Sequence, residues 1–286
     1  RGVRGVRVDP GSVDQAVAFG YACDHTPQRM PLPIALAHDV ARRLERVHRD
    51  GTLPWLGADG KTQVAIAFEH RRPVRIEAVS VTASQRRADR PHLEELRQAV
   101  RREVVDPVLA EAPVPADDRT RVLLNPGGPQ VPGGPGMHAG MTGRKTAIDT
   151  YGEYARGGAS ALSGKDPSRV ERVGAYAARH AAVNAVAAGL ARECAVQLTW
   201  MPGEAAPASI EVDTFGSGRL SDEDLAERLA GVLDFRHAAI VERFDLRGLP
   251  ARDDHGFYAR LAAYGHVGRA DLDLPWDRAD AVDGLE

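Results

Sequence analysis

Residues 140–152 read GMTGRKTAIDTYG, and residues 163–167 read SGKDP. Both stretches place basic side chains directly after glycines, namely Arg144 and Lys145 in the first and Lys165 in the second. Glycine lets a backbone approach a ligand closely, and exposed N–H groups attract anions. The two stretches therefore favour a polyphosphate site. Solvated charges beside flexible turns would give the same spacing, because the fragment G-K-D lacks the specificity of a full P-loop.

A helix is predicted to follow the second stretch. Asp166 is a good N-cap, Pro167 suits the first helical position, and Gly189 ends the run. The positive end of this helix would strengthen an anion site. Arg169 and Glu171 would point about 200° apart on an ideal helix. Both can face one ligand only if the first turn is irregular.

The remainder of the chain mixes segments of helical and strand periodicity. Helices are predicted at 36–47, 93–104 and 225–232. Strands are predicted at 64–68, 74–81, 121–125, 195–200, 209–215 and, as a short strand, 239–243. Residues 64–68 and 74–81 should form a hairpin. This mixed order predicts an α+β fold with helices on antiparallel or mixed sheets.

Composition narrows the class of protein. The chain has 286 residues, 43% of them hydrophobic, which is enough for a sizeable core. A net charge of -3 gives no global field that would recruit nucleic acid or a membrane. Cys23 and Cys194 have no metal-ligand spacing, so a reducing cytoplasm is expected. We therefore expect a cytoplasmic protein with neither a nucleic-acid nor a membrane partner.

Carboxylates are the candidate ligands for Mg²⁺, which a polyphosphate site usually needs together with phosphate oxygens. The candidates are Asp14, Asp59, Asp149, Asp166 and Glu171. Asp166 also has a structural explanation as an N-cap, and Glu171 has one as an acid in the first helical turn.

Several blocks of sequence, taken in order, resemble the S-adenosylmethionine synthetase (methionine adenosyltransferase) family. They are FGYA at 19–22, GTLPWL at 51–56, GGP at 133–135, the stretches at 140–152 and 163–167, and AAYGH at 262–266. The resemblance covers nearly the whole chain. It implies an enzyme that joins ATP to L-methionine, releases phosphate and diphosphate, and uses Mg²⁺ and K⁺. It also implies a homodimer or tetramer with active sites at the dimer interface.

The resemblance also implies a fold of three similar, interleaved α/β-layer domains with pseudo-threefold symmetry. Residues 25–133 would form one α+β domain. Residues 5–24 plus 174–286 would form the C-terminal α+β domain. Residues 134–173 would be the second half of an incomplete central domain that carries the phosphate-binding motifs. The family's N-terminal stretch, with its H-P-D-K motif, is expected to be missing before Arg1.

Site residues are carried over by position in the matching blocks. The triphosphate would be held by Lys61, Arg144, Lys145 and Lys165. The rest of ATP would lie against Asp59, Gln130 and Ala161. Methionine would be bound by Asp14, His138 and Arg169, and the metal by Glu171.

Four of these positions depart from the family pattern. Gln130 stands where an aromatic residue would stack on adenine, and His138 stands where an aspartate would face the methionine amino group. Arg169 and Glu171 replace a lysine and an aspartate. Two alternatives to the transferase therefore remain at this stage. One is a divergent homologue that uses another nucleotide or nucleophile, and the other is a non-catalytic subunit that completes a partner chain.

Overall fold

The computed structural model describes residues 11–88, 90–134, 145–158 and 160–286. The chain divides into two compact units. The larger unit comprises Arg1–Met30 with Thr142–Glu286, and the smaller unit comprises Pro31–Met141. Two predicted site residues, His138 and Arg144, lie outside the described residues.

The described strands, in chain order, are β1 (Ala16–Cys23), β2 (Leu56–Glu69), β3 (Arg72–Gln85), β4 (Arg121–Leu124), β5 (Glu193–Trp200) and β6 (Ser209–Asp213). The described α-helices are α1 (Leu32–Arg49), α2 (Leu93–Val100), α3 (Asp106–Ala110), α4 (Thr146–Asp149), α5 (Val170–Ala187), α6 (Asp222–Val232), α7 (His237–Arg243), α8 (Phe257–Leu261) and α9 (Val282–Leu285). A π-helical turn, Arg101–Val105, joins α2 to α3, and 3₁₀ turns lie at Leu249–Arg252 and Pro275–Asp277.

The smaller unit is a three-stranded sheet covered by helices. β2 and β3 form an antiparallel hairpin, and β4 pairs with β3 in parallel. The hairpin predicted from the alternating residues is confirmed, and it is longer than predicted. Apolar residues of α1 at helical spacing, including Leu36, Val40 and Leu44, pack into one core with Ile76 and other side chains of the sheet. Each such buried side chain contributes about 1.5–3 kcal/mol.

The larger unit is built on a second three-stranded sheet in the order β1-β5-β6, with both pairings antiparallel. Helix α5 is buried on nearly all sides and packs across β1 and β5. Gly20 permits this contact, because a Cβ there would lie 2.0 Å from the carbonyl carbon of Ala178 on α5. The two sheets with their packed helices confirm the predicted α+β class.

Two local predictions were wrong. Helix α5 begins at Val170, with Arg169 as its N-cap, rather than after Asp166. The Asp166 carboxylate instead accepts the backbone N–H of Ser168 at 2.8 Å, and it thereby closes a separate turn before the helix. The predicted end at Gly189 is confirmed, since its φ of 67° is the left-handed geometry of a helix stop.

The second wrong prediction is the short strand at 239–243, which lies in α7 instead. Its backbone hydrogen bonds follow the helical i→i−4 pattern, as in the 3.0 Å bond from Ile240 N to the Arg236 carbonyl. Ile240 is the buried side chain of this segment, and it anchors the short helix to the core. Within the described ranges, no helix combines the length and apolarity needed to cross a bilayer.

Candidate functional site

The turn before α5 brings together four of the predicted site residues. Lys165 Nζ donates to Glu171 Oε1 at 2.7 Å. Arg169 Nη2 donates to Asp14 Oδ2 at 3.1 Å, and Arg169 Nε lies 3.8 Å from Glu171 Oε2. We call these four residues the charged cluster. It alternates two basic with two acidic side chains, which suits a ligand that carries both signs of charge.

The late start of α5 explains how the charged cluster forms. Arg169 has φ −67° and ψ 135°, which is extended backbone, so its side chain does not follow the helical spacing. The 200° separation expected on an ideal helix therefore does not apply to Arg169 and Glu171. The irregular start of the helix allows both side chains to face one ligand. The separate turn closed by Asp166 makes this geometry possible.

Glu171 is the most buried member of the charged cluster, with 14% of its side chain exposed. Burial raises the pKa of its carboxyl. The hydrogen bond from Lys165 and the charges of Lys165 and Arg169 outweigh that effect and hold the pKa below its ordinary value. Its Oε2 atom is buried and accepts no hydrogen bond within the described part of the chain. An ionised carboxylate with one oxygen that accepts no hydrogen bond fits a cation ligand.

A small cavity of about 20 Å³ lies beside Glu171. Its lining includes Thr146, Ser160 and Leu162. Thr146 follows Lys145 in the chain, and the other two flank Ala161. Lys145 is exposed and Ala161 is half-buried. The structure therefore places the chain neighbours of two predicted ATP-binding residues around one cavity with Glu171.

The smaller unit holds Asp59, Lys61 and Gln130. Asp59 Oδ2 accepts the backbone N–H of Gly134 at 2.8 Å, and its own N–H donates to Ser84 Oγ at 3.2 Å. Ser84 also forms a parallel β-bridge with Gln130. Asp59 and Gln130 are thus brought to the same end of the sheet. Lys61 and Gln130 are exposed.

Strand geometry sets the direction of Lys61. Side chains alternate between the faces of a strand, and Gly60 and Lys61 are in regular register with β3. A Cβ at Gly60 would meet Leu44 of α1 at 2.6 Å, so Gly60 faces α1. Lys61 therefore faces away from α1, which leaves it free to reach an anion.

Sequence reasoning missed two residues at these positions. Ser84 holds the backbone of Asp59, and Arg172 Nη1 donates to the Lys165 carbonyl at 2.6 Å. Arg172 could have been found from its spacing, because Arg172, Tyr176 and Arg179 fall on one stripe of a helix that is rich in alanine and valine. A buried arginine must be paired, so such a stripe indicates a polar network.

The described residues hold no cluster of three or more His, Cys, Asp and Glu that could bind a metal without other ligands.

Comparison with known proteins gives matches over nearly the whole chain. Residues 9–130 match the family described as "S-adenosylmethionine synthetase, central domain", and residues 132–278 match "S-adenosylmethionine synthetase, C-terminal domain". The S-adenosylmethionine synthase of Synechococcus sp. strain JA-2-3B'a(2-13) is 48% identical over 94% of this chain and 67% of its own length. That of Trichormus variabilis is 46% identical over 96% and 67%, and that of Thermosynechococcus vestitus is 47% identical over 96% and 68%. The chain thus spans about two thirds of the length of these relatives.

Proposed function

Because this chain belongs to the S-adenosylmethionine synthetase family, we infer that it is a methionine adenosyltransferase. It makes S-adenosylmethionine and triphosphate from ATP and L-methionine, and water then hydrolyses the triphosphate to phosphate and diphosphate. The observation that carries this assignment to the site is the ion pair between Lys165, on the turn before α5, and Glu171, in the first turn of α5. That pair offers a cation for a polyphosphate and a carboxylate for its metal.

The chemistry needs no covalent intermediate with the protein. The methionine sulfur attacks C5′ of the ribose and forms the new S–C bond. The C5′–O bond breaks, and its electron pair leaves with the triphosphate. Catalysis therefore depends on positioning the two substrates and neutralising the leaving group. The triphosphate ligands in this proposal are Lys61, Arg144, Lys145 and Lys165.

Glu171 is the proposed ligand of Mg²⁺. Its ionised carboxyl and its Oε2 atom, which accepts no hydrogen bond from the described residues, support this role. Bound Mg²⁺ would supply further positive charge to the triphosphate oxygens. Lys165 and Glu171 pair with each other in this structure. When the substrate binds, Lys165 would exchange Glu171 for a phosphate oxygen, and Glu171 would exchange Lys165 for Mg²⁺. K⁺ is the second proposed cofactor.

The remaining members of the charged cluster suit the two charges of an amino acid. The Asp14 carboxylate would accept the methionine ammonium, and the Arg169 guanidinium would bind the methionine carboxylate. Arg169 and Asp14 keep 42% and 47% of their side chains exposed, so both are accessible to a ligand. His138 remains a proposed contact to methionine, and Asp59, Gln130 and Ala161 remain proposed contacts to ATP.

The wider organisation follows from the same assignment. We propose a cytoplasmic homo-oligomer with active sites at the dimer interface. The proposed domains are 25–133, 5–24 plus 174–286, and 134–173 as part of a third. Sedimentation of the purified protein would test the oligomer.

The activity is tested by incubating the purified protein with ATP, L-methionine, Mg²⁺ and K⁺ and quantifying the products. We expect equimolar S-adenosylmethionine, diphosphate and phosphate. Lys165→Met should abolish most of this activity, whereas Arg192→Met, which removes an exposed charge, should not. Absence of S-adenosylmethionine at saturating methionine from folded protein would overturn the assignment. Parallel reactions with other nucleotides and nucleophiles would then identify a divergent substrate.

A further inference from the structure

A line of five polar residues runs beneath the turn that carries Lys165. Arg172 Nε donates to the hydroxyl of Tyr176 at 2.9 Å. The Tyr176 oxygen lies 2.8 Å from Nδ1 of His266, and His266 Nε2 lies 2.8 Å from Oγ of Ser163. Ser163 in turn hydrogen-bonds the carboxyl of Asp149. The line thus joins a guanidinium to a carboxyl group through three neutral side chains.

The charged ends fix the direction of every hydrogen bond between them. An ionised Asp149 can only accept, so the Ser163 hydroxyl donates to it and accepts from His266 Nε2–H. Burial, followed by the charges of Arg172 and Arg269, lowers the pKa of His266 to about 3. The imidazole is therefore neutral at pH 7.

A neutral imidazole that donates through Nε2 must accept at Nδ1. The Tyr176 hydroxyl supplies that proton, and the Tyr176 oxygen accepts from Arg172. Tyr176, His266 and Ser163 thus each donate once and accept once along a single direction, which runs from Arg172 to Asp149. Hydrogen bonds arranged head to tail in this way polarise one another.

Both ends of the Ser163–Lys165 turn are attached to this line. Ser163 is itself a member, and Arg172 Nη1 donates to the Lys165 carbonyl at 2.6 Å. The Arg172 guanidinium also stacks over the Tyr258 ring, 4.5 Å from its centroid. The far end is anchored by the 2.8 Å bond from His266 N to the Asp149 carbonyl.

We propose that Arg172, Tyr176, His266, Ser163 and Asp149 form a directed hydrogen-bond chain that positions the Lys165 turn against the leaving triphosphate. This proposal rests on the triphosphate-binding role of Lys165 proposed above. The five residues are positioning residues, because they act through the backbone of the turn. Small displacements of a group that stabilises the transition state are costly, since a shift of about 1 Å can lower the rate roughly 100-fold.

The direction of the chain is tested by ¹⁵N NMR of the His266 ring in the complete protein. We expect the neutral Nε2–H tautomer, with no titration of the imidazole, between pH 7 and 8, where Asp149 is ionised. An Nδ1–H tautomer, or an imidazole that titrates in that range, would overturn the directed chain. This readout is independent of activity, so it still decides the chain if no S-adenosylmethionine is formed.

The positioning role is tested with hydroxyl deletions and steady-state kinetics. Tyr176→Phe removes the central link, and Tyr258→Phe is its matched control, since it removes the other tyrosine hydroxyl beside Arg172. We expect Tyr176→Phe to lower kcat by roughly 10- to 100-fold with KM for methionine unchanged. Tyr258→Phe should leave kcat within about twofold of wild type. Equal losses of kcat in the two variants would overturn the positioning role.

A second pair of variants tests the positioning role even if Tyr176→Phe does not fold. Ser163→Ala should lower kcat, and Ser163→Thr, which restores a hydroxyl, should recover most of it. Ser163→Ala should also release the fixed His266 tautomer in the NMR spectrum. A Ser163→Ala enzyme with wild-type kcat, or a threonine variant as slow as alanine, would count against the proposal.

Discussion

The ammonium of Lys165 and the carboxylate of Glu171 satisfy one another at 2.7 Å across the turn that precedes helix α5. Glu171 retains a second, buried oxygen that accepts no hydrogen bond from the described residues. The proposed triphosphate ligand and the proposed metal ligand are thus already adjacent. Their pairing offsets the cost of partly burying both charges.

Glu171→Gln should raise the Mg²⁺ concentration needed for half-maximal activity. The amide can still accept from Lys165, but it loses the charge that favours a divalent cation. A charged interaction contributes about 1.5–3 kcal/mol, so the requirement should rise by roughly 10-fold to 100-fold. The measurement is S-adenosylmethionine formation against Mg²⁺ concentration at fixed ATP. Glu211→Gln, at an exposed position of β6, is the control.

An unchanged Mg²⁺ dependence in Glu171→Gln would remove the carboxylate from the metal site. The pair with Lys165 would then be structural.

Arg169→Gln should weaken methionine binding more than ATP binding. In the proposed site the guanidinium binds the methionine carboxylate, so its removal should raise KM for methionine by about 10- to 100-fold. Stability should change little, because the Arg169–Asp14 pair is half-exposed and such pairs contribute about 0–1 kcal/mol. The checks are KM for each substrate and urea unfolding. Equal increases in both KM values would contradict the assignment.

The fold was largely predictable where periodicity is strong. The β2–β3 hairpin alternates over several residues, and α5 is bounded by Gly189, so both were found. The start of α5 was not, because the Asp166 carboxylate caps a turn with Ser168 instead of the helix. An aspartate carboxylate can accept a backbone N–H either as a helix N-cap or within a separate turn, and tertiary packing selects between the two.

The candidate site was predictable only where its residues are close in sequence. Lys165, Arg169 and Glu171 lie within one turn, so motif resemblance placed them together. Asp14 reaches Arg169 across 155 residues, a contact that depends on β1 packing beside α5. The helical spacing of Arg172, Tyr176 and Arg179 indicates a polar stripe, but it does not indicate that Arg172 donates to the backbone carbonyl of Lys165.

Gly20→Ala should destabilise the protein severely. The added Cβ would lie 2.0 to 2.3 Å from backbone atoms of Ala178 and Arg179, so β1 and α5 would have to separate. Overpacking usually costs about 1–3 kcal/mol, and we expect more than that here because backbone cannot rotate aside. Gly231→Ala is the control, since it has no neighbour within 4 Å. In α6 it should stabilise by up to about 1 kcal/mol.

Urea unfolding of both variants tests whether β1 and α5 pack so closely that no side chain fits at position 20. If Gly20→Ala loses less than about 1 kcal/mol of unfolding free energy, β1 and α5 are not in the close contact that the structure shows.

His266→Gln should destabilise the protein less at pH 5 than at pH 7.5. Burial lowers the His266 pKa to about 3, whereas an unfolded histidine titrates near 6.5. Between these values the unfolded state holds a proton that the folded state lacks, so His266 makes wild type lose stability as pH falls. Burial raises the Asp149 pKa to about 6, and that group has the opposite effect, because there the folded state holds the extra proton. Removing the histidine removes only the first of these two contributions.

The difference in unfolding free energy between wild type and His266→Gln should therefore shrink by about 2 kcal/mol from pH 7.5 to pH 5. Urea unfolding at the two pH values measures it. His70→Asn is the control for the loss of a histidine, because this exposed residue lies at a φ of 47°, which asparagine tolerates. A His266→Gln difference that is constant or that grows at pH 5 would show that the folded protein protonates His266. The hydrogen bonds to Ser163 and Tyr176 would then have to run in directions other than those derived above.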